Sequence, residues 1–257
     1  MEDKKLQGSV ETKLNNGIAT ITFYHPSHNS LPGKLLAKLA EAITTAGTND
    51  AAKVIILKSA GERTFCAGAS FDELTSIQNV EAGYRFFMGF ANVINACRKC
   101  PKFIIGSVQG KAVGGGVGLA SAVDYCYATK FASAKLSELA IGIGPFVVGP
   151  AVERKIGVSA MSQMAINATE WYSADWAKDK GLYAQVFDDA IAMEAGIQTL
   201  AEKLVKSNPE AMRLLKEAFW QDASHWDELL SERAAMSGKL VLSDFTVNAI
   251  AAFKNRS

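Results

Sequence analysis

Two short glycine-containing runs and one carboxylate carry the chemistry that can be read from this chain. The runs are Phe65-Cys66-Ala67-Gly68-Ala69-Ser70 and Gly114-Gly115-Gly116-Val117-Gly118, and the carboxylate is Glu138. A glycine run that opens a helix brings bare backbone N–H groups close to a ligand oxygen, because no Cβ blocks the approach. Two such groups from different loops would form an oxyanion hole, the device that stabilises a carbonyl oxygen as it gains charge. Apolar residues around Glu138 would raise its pKa toward neutrality, which suits a group that takes and returns a proton.

Other chemistries fit the same residues less well. No Gly-Lys-Ser/Thr follows the glycine run at P-loop spacing. A dinucleotide fingerprint would need a third glycine where Leu119 stands. Cys97-Arg98-Lys99-Cys100 lacks the second ligand pair of a structural zinc site and ends a helical stretch before Pro101, so reduced thiols are expected. His25 and His28 lie in a turn with Pro26 and no acidic or cysteine partner nearby, so no metal site is expected.

The elements that must position these residues alternate along the chain. Val10 to Tyr24 alternates apolar and polar residues around Asn15-Asn16-Gly17, a hairpin signal. Leu31, Leu35, Leu39 and Ile43 recur at helical spacing, and Val54-Ile55-Ile56-Leu57 reads as a buried strand. A helix is expected from Val80 to Cys100, a strand from Phe103 to Val108, then the glycine run, a short helix through Ala122 and a strand from Asp124 to Ala128. From about Ala190 the pattern is helical only, with breaks at Asn208-Pro209 and near Asp222 to Ser224. The expectation is a layered α/β fold with a core over 1–190 and a C-terminal helical region over 191–257.

Bulk composition sets limits. The chain has 257 residues, 49% of them hydrophobic and 21% charged, enough for one large domain or a domain with an appendage. With 27 basic against 26 acidic residues the net charge is +1, which gives no nucleic-acid footprint and no electrostatic membrane anchor. Met1-Glu2-Asp3-Lys4-Lys5 is charged, and no segment approaches the roughly 18 to 20 apolar residues that span a bilayer. A cytoplasmic protein is expected.

The two runs, with Val108-Gln109-Gly110-Lys111-Ala112-Val113 before the second, then Asp124, Ser137-Glu138-Leu139, Gly142, Gly149-Pro150, Ser173-Ala174, Ala177 and Gly181, resemble the signature of the crotonase (enoyl-CoA hydratase/isomerase) superfamily. The resemblance covers essentially the whole chain. It implies a crotonase-like spiral of β-β-α units, a C-terminal helical trimerisation region, and assembly as a homotrimer or a dimer of trimers. It also implies an acyl-CoA thioester as substrate, with no separate cofactor, and backbone N–H groups of Ala69 and Gly115 as oxyanion donors. For coenzyme A it points to Asn29 in the His28-Asn29-Ser30-Leu31 segment, to Ala67 for the adenine, and to Lys254 for the phosphates.

Hydratases of this family are similar to one another in carrying two glutamates that hold and activate water. The second matches Glu138; the first falls on Gly118, which has no side chain. Leu136 to Phe146, with Pro145-Phe146 after the glutamate, resembles the single-glutamate Δ3,Δ2-enoyl-CoA isomerases. Isomerisation is therefore the leading expectation. The alternatives are a hydratase, including a methylglutaconyl-CoA type, that recruits Asp72, Glu73, Asp124 or Glu153, with Tyr84 orienting a polar acyl group; a decarboxylase; and a non-catalytic CoA-binding subunit.

Overall fold

The computed structural model describes residues 8–254. Strands β1 (Ser9–Asn15) and β2 (Ile18–Tyr24) pair antiparallel across Asn16 and Gly17, whose φ values of 49° and 80° form the twisted turn that suits a tight hairpin. β3 (Val54–Ser59), β5 (Ile104–Val108), β7 (Tyr125–Thr129) and β9 (Gln185–Phe187) extend this sheet in parallel, in the order β1-β2-β3-β5-β7-β9. A second, parallel sheet joins three short strands, β4 (Thr64–Cys66), β6 (Lys111–Val113) and β8 (Ala134–Lys135). Each candidate loop leaves this small sheet, one from β4 and one from β6.

β3 shows why its sequence is apolar without alternation, since both of its faces are covered. Ile55 and Leu57 join the large core with Leu35, Leu39 and Ile43 of α1 (Gly33–Thr48) and with Val93 and Ile94 of α3 (Val80–Lys99), which follows the short α2 (Phe71–Thr75). Val54 and Ile56 pack instead against Met193, Ile197 and Ala201. Those residues lie on α7 (Ala190–Val205), which follows α4 (Gly115–Ala122), α5 (Gly149–Ile166) and α6 (Ala174–Asp179). The last strand ends just before position 190, and α7, which follows it, packs on the outer face of the six-stranded sheet.

The remaining helices also pack on their own chain. These are α8 (Pro209–Phe219), opened by the Asn208 cap, α9 (Trp226–Leu240) and α10 (Asp244–Lys254). α9 lies along α3, and Tyr84 and Ser231 share a hydrogen bond of 2.9 Å across that contact. Cys97 and Cys100 are buried free thiols, and burial pushes that of Cys97 up to about 12.

α8 is tied to the sheet through Asp124, at the entrance to β7. Lys216, only 2% exposed, donates to Asp124 Oδ2 and to the Lys102 carbonyl, both at 2.8 Å. Trp220 Nε1 donates to Asp124 Oδ1 at 3.1 Å and Ile104 N to Oδ2 at 2.8 Å. Removing one partner of such a pair strands the other charge in the interior. Lys216→Met is expected to lower unfolding free energy by about 3 to 5 kcal/mol. Adding Asp124→Asn should recover part of the loss in urea titrations, and full stability of the single variant would refute the role given to the pair.

Candidate active site

The first loop is held by a strand-like bridge between Leu31 and Ala69. Leu31 N donates to the Gly68 carbonyl at 2.8 Å and Ser70 N to the Leu31 carbonyl at 3.1 Å. This parallel bridge uses the groups on either side of Ala69, so the Ala69 N–H faces away from Leu31. Ser30 Oγ donates to the Ala69 carbonyl at 2.9 Å, which fixes that peptide further.

The second loop leaves β6 and enters α4 at Gly115. Val117 N and Gly118 N both donate to the Gly114 carbonyl, at 2.9 and 3.1 Å. The Gly115 N–H precedes these first helical bonds, so helix geometry gives it no acceptor. A Cβ built on Gly68 would stand 3.6 Å from Gly115 N, so the two loops adjoin. Two N–H groups, one at a helix N-terminus, thus border one space, where the helix dipole favours negative charge.

Glu138 begins a 3-10 turn, Glu138–Ile141, which Gly142 closes at φ 82°. Its carboxylate lies over Gly114, where any Cβ would come within 2.9 Å of Oε1. The residue as a whole is half-buried, but its Oε2 is buried and has no hydrogen-bond partner among the described residues. Removal from water pushes the Glu138 pKa up to about 7, against weaker backbone hydrogen bonding at Glu138 and Ser137 that pulls it down.

A cavity of about 160 Å³ connects these groups. Ala67, Gly68, Ala69, Gly114 and Gly115 form one side of it, and Phe86, Phe87, Phe90, Ile143 and Phe146 form much of the rest. Among the described lining residues Glu138 is the only ionisable one. Gly118 is buried beneath this wall, and a Cβ there would meet Val148 Cγ1 at 2.5 Å and Val148 Cβ at 2.9 Å. The space a side chain at 118 would need is filled by Val148.

Two adjoining glycine-containing loops and Glu138 border this cavity. The family model described as Enoyl-CoA hydratase/isomerase matches residues 13–252. The chain belongs to this family.

Among its relatives in the enoyl-CoA hydratase/isomerase family is the peroxisomal Delta(3,5)-Delta(2,4)-dienoyl-CoA isomerase of Arabidopsis thaliana, 28% identical over 82% of this chain and 80% of that one. A probable enoyl-CoA hydratase of Bacillus subtilis (strain 168) is 26% identical over 95% of both chains. The crystal structure of an enoyl-CoA hydratase from Mycobacterium avium subsp. paratuberculosis K-10 superposes with a TM-score of 0.83 over 96% of both chains at 25% identity. The protein is thus an enzyme of the crotonase type with a mixed α/β fold. Its relatives carry both isomerase and hydratase names, so membership in the enoyl-CoA hydratase/isomerase family leaves the reaction to be argued from the site.

The other residues singled out from the sequence fall in different places. Ala67 lines the cavity, and its N–H donates to the His28 carbonyl at 3.2 Å. Asn29 is not on the cavity wall: its amide donates to the Ala60 and Thr64 carbonyls at 2.8 and 2.9 Å and accepts from His25 N at 2.8 Å. These hydrogen bonds brace the loop at Asn29, where the backbone has φ 55°. Lys254 ends α10, and its side chain lies outside the described residues.

None of the substitute acids reaches the cavity. Glu73 Oε2 accepts from Gly33 N at 2.8 Å, Asp124 is bound into the Lys216 network, and Asp72 and Glu153 are exposed. Tyr84 turns its hydroxyl to Ser231. Val148, which decides what fits at Gly118, gave no signal in the sequence, since a contact across thirty positions leaves no local pattern. Among the described residues no helix is long and apolar enough to cross a membrane, and no three His, Cys, Asp or Glu side chains gather as a metal-ligating group.

Proposed function

We propose that this enzyme shifts a double bond in an enoyl-CoA thioester from the Δ3 to the Δ2 position, with Glu138 as the single proton carrier. The observation that carries the reading is that Glu138 alone among the described lining residues can ionise, while Val148 closes the place where a second glutamate would stand. Ionised Glu138 removes a proton from C2, and the C2–H bonding pair becomes an enolate whose charge rests on the thioester oxygen. The Ala69 and Gly115 N–H groups donate to that oxygen, each contributing roughly 3 kcal/mol by analogy with other oxyanion holes. The proton then returns from Glu138 to C4 as the double bond settles between C2 and C3, so atoms and charge balance with no further reactant.

In the same reading, coenzyme A is the carrier half of the substrate and no separate cofactor takes part. Backbone groups at Ala67 meet the adenine, and Lys254 meets the phosphates. Assembly is as a trimer or a pair of stacked trimers, which light scattering of the purified protein would measure.

The decisive experiment supplies purified enzyme with 3-enoyl-CoA, 2-enoyl-CoA and 3-methylglutaconyl-CoA. Conversion of the first without rapid hydration of the other two is expected. Rapid hydration of 2-enoyl-CoA without isomerisation would replace this reading with a hydratase, and turnover of no acyl-CoA at all would point to a non-catalytic CoA-binding subunit.

A further inference from the structure

Away from the two N–H groups, the cavity wall is aromatic and aliphatic. Phe86 and Phe87 of α3 meet edge to face with ring centroids 5.0 Å apart, and Ile141, Ile143 and Phe146 come from the segment after Glu138. Leu74 and Ile143 of this wall pack with Val241 and Ile250 in a buried apolar layer. Besides Glu138, the polar side chains among the described lining residues are Ser137 and Ser237, and Ser237 Oγ already donates to the Arg233 carbonyl at 3.1 Å. No Lys, Arg, His, Asn or Gln is among them.

The cavity of about 160 Å³ has room for about five groups the size of water, at about 30 Å³ each. A four-carbon acyl group whose carbonyl lies between the loops would therefore set its far end against this apolar wall. A carboxylate at that end would lose part of its water, find no cation among the described lining residues, and lie in the same cavity as the Glu138 carboxylate. Burial of an unpaired charge of this kind is strongly unfavourable, and a neighbouring like charge adds to it.

We propose that the site accepts uncharged, apolar acyl groups and rejects carboxylated ones, because among the described residues the wall facing Glu138 offers an acyl carboxylate neither a cationic side chain nor a side-chain amide. This rests on the reading that the cavity receives the acyl part of a CoA thioester. It does not depend on which reaction follows.

Calorimetric titration of the purified enzyme with butyryl-CoA and succinyl-CoA tests it, since the two differ by a methyl group against a carboxylate. Succinyl-CoA is expected to bind at least about 100-fold more weakly at pH 8. Equal affinities would overturn the proposal, whereas failure of butyryl-CoA itself to bind would overturn the acyl-CoA reading beneath it. Phe146→Arg, which brings a cation to the wall, should narrow the ratio at least tenfold. An unchanged ratio in folded Phe146→Arg protein would also count against the proposal, and the wild-type pair decides the matter if that variant does not fold.

Discussion

Glu138→Gln is expected to lower kcat for 3-enoyl-CoA isomerisation by about 10² to 10⁴-fold, the range that a positioned acid or base contributes. In the proposed mechanism glutamine keeps the shape but can neither take the C2 proton nor carry it to C4, while the Ala69 and Gly115 N–H groups would remain to bind the thioester. KM should therefore change far less than kcat, and a variant losing mainly KM would show that Glu138 serves binding instead. In the wild type, kcat/KM should climb about tenfold per pH unit below about 7 and level off above it, because only the ionised carboxylate is a base.

The same carboxylate should leave a mark on stability, with a sign opposite to that of a salt-bridged acid. Its pKa is raised from 4.5 to about 7, so between those values the folded protein holds a proton that the unfolded chain has released. Stability is then fully present below about pH 4.5 and falls as pH rises toward 7, by about 3 kcal/mol for this one group. The stability difference between wild type and Glu138→Gln, followed from pH 4 to 8 by urea unfolding, isolates that slope. A flat difference would mean that the carboxylate is solvated after all, and with it would go the apolar enclosure on which the proton-carrier role depends.

Much of this arrangement is legible in the sequence where the signal is local. Asn16-Gly17 announces the hairpin because both positions need positive φ, and Val54 to Leu57 reads as a two-sided strand because four apolar residues run together. The short strands β4, β6 and β8 have only two or three residues, too few for any periodicity, so their sheet is invisible until it is seen carrying both loops. α7 reads as an appended helix because nothing in its own pattern tells which face of a distant sheet it will cover. Asn29 resembles a ligand contact in sequence, and the bracing of its loop through the Ala60 and Thr64 carbonyls is visible only in the structure, because those partners lie more than thirty positions away. That Glu138 and the two glycine-containing loops adjoin could be anticipated from residue type and resemblance; the apolar wall around Glu138 depends on contacts among α2, α3 and the segment after Glu138, far apart in the chain.

Gly118 and Val148 supply the test with the next largest effect. Even the methyl group of Gly118→Ala would have to displace Val148 Cγ1 from 2.5 Å, and overpacking of this kind costs about 1 to 3 kcal/mol. Gly118→Glu alone should be worse, because it adds a longer side chain and a buried charge with no room for either. Combined with Val148→Gly the conflict disappears: the nearest remaining Val148 atom, its Cα, would stand 3.7 Å from the new Cβ, an ordinary contact. The double variant is then expected to present two carboxylates to the cavity, the pair that the sequence resemblance associates with holding and activating water. Hydration of 2-enoyl-CoA is expected to rise about 100-fold above the wild-type background in that variant and not in either single one. If wild type already hydrates 2-enoyl-CoA as fast as it isomerises 3-enoyl-CoA, one carboxylate suffices for adding water here and Val148 does not choose the reaction. If instead the double variant folds but gains nothing, the missing glutamate is not what separates the two chemistries on this scaffold.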